Sequence, residues 1–172
     1  TLQPGQELRL DVKRRCERTT GRACILATVG AQGIQATSAE ACVRISEPPR
    51  LNLSIAELSD PVSIGQTTGY VLSISNTGTT VARDLRLEIS IPTQMVFQGE
   101  GQRNPTRARE RQGVIVFDPL AELQPGASAR YEISLRAAQE VRAALVEASL
   151  FLNGQAEAVL TASERTEIVR PR

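Results

Sequence analysis

The sequence predicts an all-β fold, on the basis of three features of its 172 residues. Apolar and polar residues alternate along most segments, as they do in strands with one buried face. No long segment has the 3.6-residue period of an amphipathic helix. Turn sequences such as Asn76-Thr77-Gly78, Pro125-Gly126 and Asn153-Gly154 separate the alternating segments. Seven or eight short strands over ~120 residues predict an immunoglobulin-like antiparallel β-sandwich.

The sequence also contains an internal repeat. Leu2-Gln3-Pro4-Gly5 recurs as Leu123-Gln124-Pro125-Gly126, 121 positions later. At this offset, nine of the 32 positions from Leu2 to Gly33 are identical without gaps. Average composition would give about two or three identities by chance. The alternative is that two unrelated β-hairpins share a turn motif, which we disfavour.

The repeat divides the chain into one half copy and one whole copy. Residues 1–45 are predicted to be the C-terminal half of an immunoglobulin-like repeat, with about three strands. Residues 51–169 are predicted to be a complete sandwich. The Pro-rich residues 46–50 are the predicted linker between them, and residues 170–172 begin the next linker.

Alternation places the strands of the complete repeat in order. Pro92 ends the third strand because proline cannot donate a ladder hydrogen bond. A helix over residues 137–149 agrees with local propensity, but the repeat places Thr19-Thr20-Gly21 in the matching segment, which disfavours a helix. The eight predicted strands lie at residues 51–55, 70–74, 81–91, 95–97, 114–117, 131–135, 146–152 and 156–169.

A set of motifs extends over nearly the whole chain. They are Leu51-x-Leu53-x-Ile55, Gly65 to Ser75 followed by Asn76-Thr77-Gly78, Val81-Ala82-Arg83-Asp84-Leu85, Ile91-Pro92, Phe97, Leu123-x-Pro125-Gly126 and Asn153-Gly154. With these motifs the chain resembles the bacterial surface-repeat family known as domain of unknown function eleven. The three cysteines are similar to those of its planctomycete-like versions. The resemblance implies tandem immunoglobulin-like modules in large exported proteins, with no activity and no catalytic residues.

The three cysteines all lie in the half repeat. Cys16 and Cys24 flank residues 17–23, which we interpret as a turn, so a disulfide between them is the favoured pairing and leaves Cys42 free. A Cys24–Cys42 bridge is the alternative. A third interpretation is that all three are reduced and act as small hydrophobic residues. Three cysteines alone at these spacings do not favour a metal site.

The segment from residue 98 to residue 113 departs from the family pattern because it is long and rich in arginine. It carries Arg103, Arg107, Arg109 and Arg111. These arginines could bind an acidic partner or a surface polymer. The interpretation that we favour is a solvated, mobile hairpin tip, because the segment also contains glycine, proline and glutamine.

Composition excludes several functional classes. The chain has 20 Lys and Arg against 19 Asp and Glu, so charge does not favour nucleic acid or a membrane surface. It has no histidine, which excludes Ser-His-Asp and Cys-His catalysis. It has no tryptophan and few other aromatic residues for stacking on sugars or bases. We therefore expect no catalytic residue, no cofactor and no metal.

The predicted function is a non-catalytic structural or adhesive module of an extracellular or cell-surface protein. Its expected partners are other copies of itself or neighbouring repeats of the same chain. The alternative is a ligand- or polysaccharide-binding accessory module that uses the arginine-rich residues 98–113. The half repeat could be a piece whose other half was removed, could be completed by another chain in a head-to-tail fibre, or could pack as an extra sheet.

Overall fold

Thirteen strands make up the regular structure of residues 3–17 and 20–171, which are the residues that the computed structural model describes. The predicted all-β class is therefore confirmed. The described residues contain no helix that is long and apolar enough to cross a membrane. The chain forms two compact units, Thr1–Glu47 and Pro48–Arg172. The boundary between them falls within the Pro-rich residues 46–50.

The first unit contains one antiparallel hairpin, formed by β1 (Thr20–Ala31) and β2 (Ile34–Ile45). Gly33 adopts a φ of 82° at the turn, where a residue with a side chain would be strained. The prediction of about three strands is wrong for the described residues, because residues 3–17 form no strand. Their apolar alternation is that of a strand, but no neighbouring strand hydrogen-bonds to them there.

The second unit is an antiparallel β-sandwich of two sheets. The four-stranded sheet has the order β3-β5-β11-β7, and the larger sheet has the order β4-β13-β12-β6-β9-β8, with β10 also paired to β6. Only the short β4–β13 pairing is parallel among the described strands. The strands are β3 (Leu51–Glu57), β4 (Val62–Ser63), β5 (Thr67–Asn76), β6 (Ala82–Ser90), β7 (Met95–Glu100), β8 (Ala108–Arg111), β9 (Val114–Phe117), β10 (Leu120–Leu123), β11 (Ser128–Ala137), β12 (Val141–Leu152) and β13 (Leu160–Val169).

Alternate residues of these strands point between the two sheets and form one core. β5 contributes Tyr70, Leu72 and Ile74, and their neighbours on β11 are Tyr131 and Ile133. The larger sheet contributes Leu85, Leu87, Ile89, Ile115, Phe117, Val146, Ala148 and Leu150. All of these side chains are almost fully buried. This period of two is the one that the sequence shows, so the core could be predicted from it.

The sequence missed three short strands. β4, β8 and β10 have two to four residues each, too few for alternation to be recognised. All eight strands predicted from alternation overlap strands of the structure, and the segment with helical propensity is strand from Val141 onward. That strand is central in the larger sheet, where pairing with β6 and β13 overrides local helical preference.

Candidate protein-contact surfaces

The arginine-rich segment is not one long loop. β7 extends to Glu100, and residues 108–111 form β8, which pairs with β9 at the edge of the larger sheet. The loop predicted over residues 98–113 is therefore only the stretch between these strands, with a tight turn at Gln112-Gly113. Arg109 and Arg111 lie in β8, while Arg103 and Arg107 lie in the connection. We call these four residues, with β8, the arginine edge.

Hydrogen bonds attach this connection to β11. The Asn104 side-chain amide donates to the Glu132 carbonyl oxygen at 2.9 Å, and the Glu132 amide donates to the Asn104 carbonyl oxygen Oδ1 at 2.7 Å. Gly101 approaches the same strand so closely that an added Cβ would lie 2.8 Å from the Glu132 Cβ. The Glu100 carboxylate accepts a hydrogen bond from the Ala108 amide. Hydrogen bonds thus join the connection that carries the arginine edge to β11 and to the end of β7.

The arginine edge is positively charged and exposed. Four arginines and two glutamates between residues 98 and 113 give this segment a net charge of +2. Arg107 lies 3.5 Å from Glu100 and Arg109 lies 3.7 Å from Asp118, and both guanidinium groups are largely exposed. Exposed pairs of this kind stabilise a fold by only about 0–1 kcal/mol. These arginines can therefore exchange their internal partners for carboxylates of another molecule at little cost.

A cleft of about 360 Å³ lies beside the connection and is lined by Glu100, Gln102, Asn104 and Arg107, among others. Arg103 lines a second cleft with Arg130 and Glu132. The lining amides and guanidinium groups can donate hydrogen bonds to carboxylate or sulfate oxygens, whereas the Glu100 and Glu132 carboxylates can only accept them. The arginines could be identified from the composition of the segment. The positions of Asn104 and Glu132 next to them could not be predicted from the sequence.

The structure corrects the favoured disulfide. Cys24 is bonded to Cys42, and Cys16 is free and exposed. The Cys16–Cys24 pairing is wrong because Cys24 lies within β1, which begins at Thr20, and is bonded to Cys42 on β2; residues 18 and 19 of the supposed turn lie outside the described residues. The turn is at Gly33, and the β1–β2 register places Cys24 directly opposite Cys42, with their Cα atoms 4.0 Å apart. The equal distance of both cysteines from Gly33, nine residues each, is the signal that identifies this pair.

Glu40 is the third member of a possible ligand group around this disulfide. The Cys24 and Cys42 sulfurs and a Glu40 carboxylate oxygen all lie within 4.8 Å of one another. A metal ion binds the thiolate form of cysteine, which a disulfide does not offer. The group could therefore hold a metal ion only in reduced protein, and the expectation of no metal site stays a prediction.

A polar network inside the sandwich was not predicted from the sequence. The Thr166 hydroxyl donates to the Glu57 carboxylate, so Tyr70 donates its phenolic proton to Thr166. The Met95 sulfur lies 3.5 Å from the same phenol oxygen. Burial raises the pKa of Tyr70 to about 12, and burial also raises the pKa of Glu57, although its hydrogen bond from Thr166 acts in the opposite direction. Partners 96 and 109 residues apart leave no local pattern from which to infer such a network.

We expect Tyr70→Phe to reduce the loss of stability at alkaline pH. A buried phenol with a folded-state pKa near 12 and an unfolded value near 10 stabilises the fold fully below pH 10, and this contribution is lost as pH rises through 12. The parent chain should therefore lose stability across this window more steeply than the variant. At pH 7 the variant should lose about 1 kcal/mol through the missing hydrogen bond.

Urea unfolding of both chains at pH 7 and at pH 11 measures this difference. Some alkaline slope should persist in the variant, because burial also raises the pKa of Tyr131. Identical slopes for the two chains would show that the Tyr70 phenol is not held neutral by the core.

Known proteins resemble this chain in fold but not in sequence. No family model matches the chain, and no curated protein sequence matches it. Among solved structures, it is similar to a CARDB domain from Pyrococcus furiosus, with 15% identity, a TM-score of 0.50 and coverage of 72% of this chain and 98% of that one. It is similar to a cohesin module of a family 33 glycoside hydrolase from Clostridium perfringens, with 12% identity, a TM-score of 0.52 and the same coverage.

The fold of these neighbours agrees with the two-sheet architecture of the second unit. It is an immunoglobulin-like β-sandwich. Sequence identities this low support a shared fold but not membership of a family. The more specific resemblance to the domain-of-unknown-function-eleven family therefore stays a prediction.

Proposed function

We propose that the sandwich is a non-catalytic structural or adhesive module that acts through protein–protein contacts at the arginine edge. The observation that carries this proposal is the position of β8. It is the last strand of the larger sheet and presents Arg109 and Arg111 on an exposed edge. Arg103 and Arg107 extend the same positive surface into the preceding connection.

An edge strand with arginine side chains can bind a protein in two ways at once. Its outward backbone groups can pair with a strand of another molecule. Its guanidinium groups can bind carboxylates through paired hydrogen bonds. We infer that the partner presents an acidic strand or loop, either on another copy of this chain or on a neighbouring repeat.

A non-catalytic role agrees with the location of the perturbed titratable groups. Tyr70 and Glu57 have raised pKa values, yet both are engaged with Thr166 at the core and do not line the clefts beside the arginine edge. With no histidine in the chain, no Ser-His or Cys-His pair can form. The cohesin module and the CARDB domain are neighbours in fold that agree with a modular role.

The proposed location is the cell surface or the extracellular space. The Cys24–Cys42 disulfide supports it, because disulfides persist mainly in oxidising compartments. The exposure of both cysteines makes the bridge accessible to cytosolic reductants, which would not preserve it.

Charge reversal at the arginine edge tests the protein-contact role. We expect the parent chain to self-associate with rising concentration at low ionic strength, and Arg109→Glu with Arg111→Glu to weaken this association on the order of tenfold. Sedimentation velocity over a concentration series measures it, with Arg142→Glu, an exposed arginine on β12, as the matched control.

The outcomes separate this role from its alternative. Equal association of the double variant and the parent would contradict the assignment of the arginine edge. Retardation of the parent by heparin, abolished in the double variant and without self-association, would favour the polysaccharide-binding role, which the polar cleft beside Asn104 and Arg107 supports.

A further inference from the structure

The strand pairs of the first unit's hairpin match those of a hairpin of the sandwich, while the turns differ in length. β1 and β12 each have 12 residues and are offset by 121 positions, the offset of the internal sequence repeat. β2 matches β13 at an offset of 123, with Ile45 at the position of Ile168. Both hairpins have an irregularity at the same place, after the first residue pair. Corresponding pairs are Ala23–Val43 with Ala144–Thr166, Cys24–Cys42 with Leu145–Arg165, Ile25–Ala41 with Val146–Glu164, and Ala27–Ala39 with Ala148–Ala162.

The matching faces of the two hairpins differ in burial. In the sandwich, Val146 and Leu150 of β12 and Thr166 of β13 are fully buried under the four-stranded sheet. Their counterparts in the first unit are Ile25, Val29 and Val43, which are 48%, 72% and 63% exposed. The first hairpin therefore has the residues of a core face, while the described residues of the first unit contain no second sheet that could cover it.

Residues 6–16 show the same difference. Leu8, Leu10 and Val12 occupy the positions of Ala129, Tyr131 and Ile133 in β11, yet all three are exposed. In the sandwich, β11 lies between β5 and β7 and is paired on both edges. Residues 6–16 have neither partner among the described strands.

Two further residues of this segment stand at buried positions of the sandwich, and one fits its position while the other departs from it. Free Cys16 falls at the position of Ala137, which is fully buried. Arg14 falls at the position of buried Leu135 and is the departure from the apolar pattern. A completed sandwich would have to carry the Arg14 stem in its interior and its guanidinium group at an edge.

We propose that residues 6–16 and 20–45 are a docking surface for a polypeptide segment with the residue pattern of residues 51–122, the N-terminal half of such a repeat. In the sandwich, this half supplies the strands that pair with β11 and β12. A β6-like strand would pair with residues 26–31, as β6 pairs with Glu147–Leu152. Strands like β5 and β7 would pair with residues 6–16.

The occupant is a half repeat and not a second copy of this chain. Residues 51–122 of a second copy already form their core with their own β11, β12 and β13. Opening that core would expose Tyr70, Tyr131 and many aliphatic side chains. Docking on the first unit would re-form only an equivalent set of contacts, so the exchange would bring no net stabilisation. This inference concerns the first unit and does not depend on the role proposed for the arginine edge.

The test supplies this N-terminal half by fusion. Residues 48–122 are placed directly before Leu2 of the full chain, so that Glu122 is followed by Leu2-Gln3-Pro4-Gly5 in place of its natural continuation Leu123-Gln124-Pro125-Gly126. In the parent, Cys16 is exposed and should react readily with a thiol reagent. In the fusion we expect its labelling to slow at least about 100-fold, because the thiol becomes accessible only through opening of a packed core.

Two substitutions in the fusion provide a matched pair. Ile25→Asp places a charge on the face that would be buried and should restore the labelling of Cys16. Leu26→Asp lies on the opposite face, at the position of exposed Glu147, and should leave Cys16 protected. Both side chains are exposed in the parent, so neither substitution should alter its folding.

Measurements in about 0.5 M salt keep charge-mediated association at the arginine edge out of the result. Equal rates of Cys16 labelling in the fusion and the parent would overturn the proposal. A lack of amide-exchange protection in the added copy of residues 48–122 would overturn it as well. Protection of Cys16 that develops in the parent alone with rising concentration would instead assign the surface to a second copy.

Discussion

Phe117→Ala is expected to lower the free energy of unfolding of the sandwich by about 3–5 kcal/mol, the range for removal of a buried aromatic ring. Phe117 is 1% exposed and lies edge-to-face against Tyr131, with ring centroids 4.7 Å apart and an interplanar angle of 64°. The two rings come from β9 and β11, one in each sheet. Truncation therefore removes both burial and a contact that joins the sheets.

Urea unfolding followed by circular dichroism measures the effect. Phe151→Ala is the control, because Phe151 lies on the outer face of β12 beneath Arg86, whose guanidinium carbon is 4.5 Å from the ring centroid. Phe151 is only partly buried and lies outside the core, so its truncation should cost less than that of Phe117, with about 1 kcal/mol from the lost cation–π contact. Comparable losses for the two variants would show that the centre of the core lies elsewhere.

Removal of the Cys24–Cys42 disulfide should unfold the first hairpin and leave the sandwich intact. The bridge joins residues 18 positions apart, and a disulfide closing a loop of this size stabilises by about 3 kcal/mol. An isolated two-stranded hairpin is at best marginally stable, so the loss should exceed its stability. All core residues of the sandwich belong to the second unit, whereas both cysteines belong to the first, so the core does not contain this bond.

The double substitution Cys24→Ser with Cys42→Ser, followed by amide hydrogen exchange, tests this expectation. Amides of residues 20–45 should lose their protection, while those of β5, β11 and β12 should keep theirs. Cys16→Ser is the matched control, since that thiol forms no disulfide. Retained protection of the hairpin in the double variant would mean that side-chain packing, and not the bridge, holds β1 on β2.

The all-β class, the eight longer strands of the sandwich and the composition of its core follow from the sequence by itself. Burial of every second residue is a local property of a strand, so Tyr70, Leu72 and Ile74 on β5 could be assigned to the core without any knowledge of what they contact. The arginines of residues 98–113 were likewise visible as composition. The similarity between Leu2–Gly33 and residues 123–154 could likewise be recognised from sequence identity.

Only the tertiary structure decided which side chains meet. The pairing of Cys24 with Cys42 depends on the true position of the turn at Gly33, and the network of Glu57, Tyr70 and Thr166 joins β3, β5 and β13. β8 is too short to be recognised from its sequence pattern, and only its pairing with β9 identifies it as a strand. The exposure of Ile25 and Val29, whose counterparts in β12 are buried, depends on whether a second sheet is present. The physical reason is the same in each case: alternation specifies the face of a strand, whereas contacts between distant strands depend on register and on the strands available to pair.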